Sequence, residues 1–210
     1  MEKENKGVTK CDTPGGAQEI QAKEREQMKV KRELTLHNPG AFQIGDRIKV
    51  KLPDETHWAT AYDQKGTVTF FIFDDCLNDL KPMNSEDTNE GGYEASELRQ
   101  YLRDLSEDIP EKLKKTMIPD GDGDYLYLLN LREVTGYDTK WNKVSGQFEW
   151  FKDRRHRIAT SAEDEYVHWW LRDPVSAANF ADVDGNGYAD LSHASDAYGV
   201  RPAFAISSDL

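Results

Sequence analysis

Between residues 47 and 52, apolar Ile48, Val50 and Leu52 alternate with charged Arg47, Lys49 and Lys51. A period of two predicts a half-buried strand with one wet face. Trp58–Tyr62 and Thr67–Phe73 follow, separated by Asp63-Gln64-Lys65-Gly66, and read as a hairpin. Phe70-Phe71-Ile72-Phe73 is apolar on both faces and predicts a central strand. Asn84 to Gly92 is a polar loop. The pattern then shifts to a helical period over Glu94–Leu105, with Leu98, Tyr101, Leu102 and Leu105 on one face. Pro110 opens a second predicted helix in which Ile109, Leu113 and Met117 recur four apart. Tyr125–Leu129 reads as a further strand. Val200, Phe204 and Ile206 mark a last one, where Pro202 suits an edge or a bulge. Short strands interleaved with two adjacent helices predict an α+β domain.

Before this domain, residues 1–16 contain Thr13-Pro14-Gly15-Gly16 and charged residues, the composition of a mobile segment. Ala17 to Leu36 is helical in composition, but its apolar positions, Ile20, Met28, Val30 and Leu34, form a thin and irregular stripe. Such a segment is either a solvated helix or an arm for docking or homo-oligomer formation. His37-Asn38-Pro39-Gly40 is a breaker cluster, so the expected division is an arm over 1–36 and a domain over 37–210.

The 210 residues suffice for one well-buried domain. Lys and Arg number 27 and Asp and Glu 39, a formal net charge of −12. That balance disfavours nucleic acid and anionic membrane as partners. No apolar run approaches the ~20 residues of a membrane span, and the amino terminus lacks the apolar core of a secretory signal. The expected location is cytoplasmic or virion-associated. Cys11 and Cys76 lie in unrelated contexts and read as two reduced thiols.

The most distinctive composition lies at 175–199. Trp169-Trp170-Leu171-Arg172-Asp173-Pro174 precedes it and Gly199-Val200-Arg201-Pro202-Ala203-Phe204 closes it. The interior is rich in Ala, Asp, Ser, Gly, Asn and Tyr, and has no Lys, Arg, Glu or Gln. Short polar side chains and Tyr lose little entropy when ordered against a partner, which is why paratopes favour them. A scaffold displaying 175–199 as a recognition surface is therefore expected. Its predicted contacts are Arg172, Asn179, Asp182, Asp184, Asn186, Tyr188, Asp190, Ser192, His193, Ser195, Asp196 and Tyr198. Tyr188 and Tyr198 would serve as anchors. Gly185-Asn186-Gly187 suits a tight hairpin turn between Asn179–Asp184 and Tyr188–Ser192.

Asp182-Val183-Asp184-Gly185-Asn186-Gly187-Tyr188-Ala189-Asp190 also resembles the opening of a calcium loop, with oxygen side chains at alternate positions and Gly at the sixth. The twelfth position is His193, a poor calcium ligand, so a hairpin tip competes with bound calcium and no other cofactor is expected. Asp120-Gly121-Asp122-Gly123-Asp124 is an acidic turn by the same comparison. His37, His57, His156, His168 and His193 show no zinc spacing, and no nucleophile elbow or phosphate-cradling glycine loop is present. Lys152, Arg154, Arg155, His156 and Arg157 form a basic island, to be paired with the protein's own carboxylates or held open for an anion. Trp141 and Trp150 could stack on a sugar; Trp169 and Trp170 read as core.

The two bracketing blocks resemble a bacterial and phage domain-of-unknown-function family that reads Trp-Trp-Leu-Arg-Ser-Pro, then a stretch rich in small polar residues, then Gly-Val-Arg-Pro-Ala. Here Asp173 replaces the Ser. Tyr93–Leu102 is similar to that family's helix, with Tyr101 in place of Trp, and Leu126–Leu129 and Arg157–Ser161 also fit. The resemblance spans about residues 42–206. It implies a C-type-lectin-like fold, shared by binding proteins and formylglycine-generating enzymes, and kinship with the variable proteins of diversity-generating retroelements. The enzyme branch relies on a cysteine pair in the carboxy-terminal half, and this chain has no Cys after Cys76. The Glu-Pro-Asn and Trp-Asn-Asp triplets of calcium-dependent sugar binders are missing too. The expectation is a non-enzymatic domain that binds a protein or glycan ligand. The alternatives are a structural virion or assembly protein, a carbohydrate-binding module, and a formylglycine-type enzyme.

Overall fold

The computed structural model describes residues 42–163 and 165–208. The expectations placed on the amino-terminal arm and on Cys11 lie outside these residues. The described part is an α+β domain built on two antiparallel sheets. The larger has the order β1-β2-β3-β8-β4, with β1 at Arg47–Lys51, β2 at Thr56–Lys65, β3 at Val68–Phe73, β4 at Met117–Ile118 and β8 at Ala203–Ser207. The smaller has the order β5-β6-β7, at Trp169–Pro174, Asn179–Val183 and Ala189–His193.

The expected alternation builds β1, whose Ile48 and Val50 are buried while Lys49 and Lys51 are exposed. The β2–β3 hairpin is longer than the sequence pattern indicated, because Asp63, Gln64 and Lys65 continue the ladder opposite Phe70, Thr69 and Val68. A register shift between Ala61 and Asp63 absorbs the extension.

The first helix, α1, runs from Glu97 to Glu107 after a short 3-10 turn at Tyr93–Ala95. Ser96 caps it, its hydroxyl accepting from the Arg99 N–H at 3.1 Å. The second, α2, is only Glu111–Lys114. Met117, expected on the same helix, instead opens β4 against Ile206.

Tyr125–Leu129 does not form a strand. Only Tyr127 bridges to Ala203, while Leu128 N–H meets the Tyr93 hydroxyl at 3.4 Å and the Leu129 carbonyl accepts from Arg172 N–H at 3.0 Å. The segment is buried and bonded, but to several partners in turn. A helix unmarked by periodicity, α3 at Leu131–Thr135, starts from a reciprocal Asn130/Glu133 capping box. A further one-turn helix, α4 at Glu149–Lys152, leads into a 3-10 turn at Arg154–Arg157.

Two cores result. One gathers Ile48, Val50, Phe71, Phe73, Leu98, Leu102, Trp170, Phe180, Phe204 and Ile206. The other gathers Tyr62, Ile72, Leu131, Val134, Phe151, Trp169, Leu171, Ala181, Val183 and Ala203. Strand periodicity distributes neighbours to opposite sides, so Trp169 and Trp170 enter different cores, each at 0% exposure. Each indole N–H donates to a distant backbone carbonyl at 2.8 Å, Trp169 to Arg157 and Trp170 to Lys81. The tryptophan pair thus fastens β5 to both halves of the domain.

Candidate functional site

The segment 175–199 folds as the β6–β7 hairpin, with Asp182 opposite Asp190 and Asn179 opposite His193. Its turn is set by Asp184, whose Oδ1 accepts from the Asn186 and Tyr188 N–H groups at 2.9 and 2.8 Å. Gly187 has φ +81°, and a Cβ there would lie 2.8 Å from the Arg154 carbonyl. Backbone conformation and space both require glycine at this turn.

The candidate contacts divide by exposure. Asn186, Tyr188, Asp190, His193 and Ser195 are exposed, with Tyr188 at 55%. Asn179 and Asp196 are half-buried and engaged locally. Asn179 Oδ1 accepts from the Ser176 hydroxyl at 2.9 Å, and Asp196 Oδ2 accepts from His193 N–H at 3.1 Å. His193 Nδ1 lies 2.9 Å from Asp87 Oδ2.

Asp182 and Ser192 do not present their side chains outward, contrary to expectation. Asp182 is at 0% exposure and Ser192 is buried. The Ser192 hydroxyl donates to Asp182 Oδ1 at 3.1 Å, and His168 Nδ1 meets Asp182 Oδ2 at 2.8 Å. Strand β6 is covered on both faces from Phe180 to Val183, so composition gave no sign of which Asp turned inward. Burial raises the Asp182 carboxyl to about 6, against the lowering effect of His168 and Ser192. Tyr198 is also not a free anchor. Half-buried, its ring stacks on His168 at 5.0 Å and tilts against Trp170 at 5.2 Å.

His168, Asp182 and Asp190 each bring one donor atom to a common point, all within 4.8 Å of one another. One imidazole and two carboxylates form a donor set for a transition metal or zinc more than for calcium. Asp184, an expected calcium ligand, stands outside this group and serves the turn. His168 is the site residue that sequence reasoning missed, because it pairs with Asp182 only across two strands.

Arg172 lies elsewhere. It lines a cavity of about 540 Å³ with Tyr62, Tyr127, Phe148 and Glu133, and reaches Asp120 and Glu133 at 3.7 and 3.9 Å. Tyr62 and Tyr127 share a hydrogen bond in its wall, and burial pushes both phenols up.

The basic island splits. Arg155 pairs with Asp153 and Lys152 with Glu149, whereas Arg154 and Arg157 donate to backbone carbonyls. Trp150 stacks on His156 at 3.7 Å, while Trp141 remains 40% exposed. The Cys76 thiol is buried, and desolvation pushes it up to about 12, the opposite of an activated nucleophile. Among the described residues, no helix is long and apolar enough to cross a membrane.

These features define a mixed α+β domain with antiparallel sheets and a polar carboxy-terminal hairpin. A family model described as a domain of unknown function (DUF6273) matches residues 67–208, from the start of β3 through β8. The chain belongs to that family. No curated protein and no solved structure matches it.

Proposed function

We propose that this is a non-enzymatic recognition domain of C-type-lectin-like fold, and that it binds a protein or glycan through the exposed side chains of the β6–β7 hairpin. One observation carries the reading. Trp169, Trp170, Val200 and Phe204 are fully buried on either side of the segment, while Asn186, Tyr188, Asp190 and His193 stand exposed along it. A rigid frame around short polar groups and one exposed aromatic lowers the ordering cost of binding. Asp182, Ser192, His168 and Tyr198, less exposed and bonded or stacked on one another, support the hairpin. The hairpin's small-residue composition fits a diversified segment, and short antiparallel strands with one main helix fit the lectin-like architecture.

The test is to screen the full chain against a glycan array and a displayed protein library. Each ligand found is then titrated against a Tyr188→Ala/Asp190→Ala/His193→Ala variant. Expected is loss of binding with the fold retained and stability lowered by no more than about 1–2 kcal/mol, the worth of the exposed Arg154–Tyr188 and His193–Asp87 contacts. Unaltered affinity in the triple variant, or no ligand from either screen, would overturn the reading.

A further inference from the structure

Beside the hairpin turn lies a cavity of about 650 Å³, lined by Lys143, Lys152, Arg154 and Arg157 together with Tyr137, Tyr188 and other neutral residues. Among the described residues, no Asp or Glu lines it. In a chain of net charge −12, a wall carrying four cations and no carboxylate runs against the overall balance.

The charges are held in place without being neutralised. Arg154 Nη1 donates to the Asn186 carbonyl at 2.8 Å, and its guanidinium lies 4.4 Å from the Tyr188 ring centre. Arg157 donates from Nε to the Phe151 carbonyl at 2.8 Å and from Nη1 to the Gly187 carbonyl at 3.2 Å. Lys152 alone has a carboxylate partner, the exposed Glu149. Among the described residues, no carboxylate lies within ion-pair distance of Lys143, Arg154 or Arg157. Burial, then the Arg154 charge, holds the Arg157 guanidinium below its ordinary value. Two like charges are thus crowded in a partly desolvated wall, a tension that an anion between them would relieve.

The rest of the lining is ordered as well. Tyr137 and Lys143 face each other across an isolated bridge. The intervening turn is pinned by Asp138, whose Oδ1 accepts from the Lys140 and Asn142 N–H groups, each at 2.9 Å. The cavity has the size of a small-molecule site. Forked guanidiniums beside ammonium groups match a tetrahedral, multiply charged oxyanion, and the two tyrosines can cover the organic part.

We propose that this cavity binds a small phosphorylated molecule, its phosphoryl group held by Arg154, Arg157 and Lys143. The site is independent of the ligand assigned to the hairpin face, and Tyr188 is the only residue they share.

Isothermal titration of the full chain with inorganic pyrophosphate, in parallel with citrate, tests it at about 0.15 M salt, where surface charges are screened over roughly 8 Å. Expected is saturable pyrophosphate binding that weakens roughly tenfold or more in Arg154→Gln and in Lys143→Gln. Lys143 is exposed and makes no ion pair among the described residues, so its variant keeps the experiment decisive if Arg154→Gln loosens the turn. No saturable binding, or binding unchanged in Lys143→Gln, overturns the proposal. Citrate binding as tightly as pyrophosphate overturns the phosphoryl assignment. The hairpin reading is untouched by any of these results, because Asp190 and His193 take no part.

Discussion

His168 Nδ1 and Asp182 Oδ2 meet at 2.8 Å beneath the β6–β7 hairpin, with the carboxylate fully buried and the imidazole partly open to solvent. Burial raises the Asp182 carboxyl from 3.8 to about 6. The folded chain therefore holds a proton that the unfolded chain has already released. This contribution to stability is complete below pH ~4 and is lost as pH rises through ~6. The loss is of order 2–3 kcal/mol. In urea unfolding from pH 4 to 7, the difference between native protein and Asp182→Asn should shift by that order in this window. Asp173, also raised by burial, slopes equally in both proteins and cancels. A pH-independent difference would show that Asp182 ionises normally in the fold.

What could be read in advance was what local periodicity controls. Ile48 and Val50, the Phe70–Phe73 run and the Leu98/Leu102 face each form the predicted element, because burial on one face is written in residue spacing. Tyr125–Leu129 shows the limit. Its apolar run fixes burial, but its backbone bonds to Tyr93, Arg172 and Ala203, partners that no local pattern encodes. In the hairpin, the turn was legible from Gly185-Asn186-Gly187 while the burial of each side chain was not. Asp182 and Asp190 are the same residue type directly across a ladder and share a face, yet Asp182 is buried against His168 and Ser192 while Asp190 is exposed. The basic island departs from the pairing its charge suggests for a similar reason, since backbone carbonyls fix Arg154 and Arg157 where a carboxylate is expected.

Gly199 is fixed by space. A Cβ at this position would lie 2.4 Å from Cys76 Sγ and 3.0 Å from the His168 carbonyl. The same residue carries the N–H to His168 and the carbonyl to Trp170 that join the closing strand segment to β5. Gly199→Ala should cost roughly 2–3 kcal/mol through overpacking. Adding Cys76→Ala should recover part of that loss by removing the nearest atom, and the recovery cannot be complete while the carbonyl contact remains. Chemical denaturation of the two single variants and the double variant reads the coupling. Strict additivity would mean that the sulfur is not what excludes a side chain here.

Arg201 is a buried cation satisfied by carbonyls alone. Its Nε donates to Phe73 at 2.8 Å, Nη1 to His156 at 3.0 Å and Nη2 to Asp74 at 3.1 Å, with the guanidinium 5.0 Å from the Trp169 ring centre. It ties the end of β3 to the basic 3-10 turn and to the indole at the start of β5. Lysine retains the charge but cannot span three carbonyls in one plane. Arg201→Lys should therefore destabilise by about 2–4 kcal/mol, close to the effect of Arg201→Gln. Rescue by lysine to within about 0.5 kcal/mol of the native protein would show that charge, and not the planar fork, is what the position requires.

The two hairpin tyrosines should behave in opposite ways. Tyr188 is exposed and touches the structure through Arg154, a cation–π contact of roughly 0.5–1 kcal/mol at an exposed position. Tyr198 is packed between His168 and Trp170, and its backbone exchanges hydrogen bonds with Lys81, the residue whose carbonyl holds the Trp170 indole. Removing its ring opens a void between His168 and Trp170 and takes away ring contacts of both. Tyr198→Ala should lower stability by roughly 2–4 kcal/mol, and Tyr188→Ala by less than about 1 kcal/mol. Hydrogen exchange gives a second measure, because loss of Tyr198 should speed exchange at Lys81 and Trp170 before it affects α1. Equal, small effects from both variants would mean that Tyr198 belongs to the recognition face after all. Equal, large effects would mean that Tyr188 supports the turn, leaving the hairpin without an aromatic free to meet a ligand.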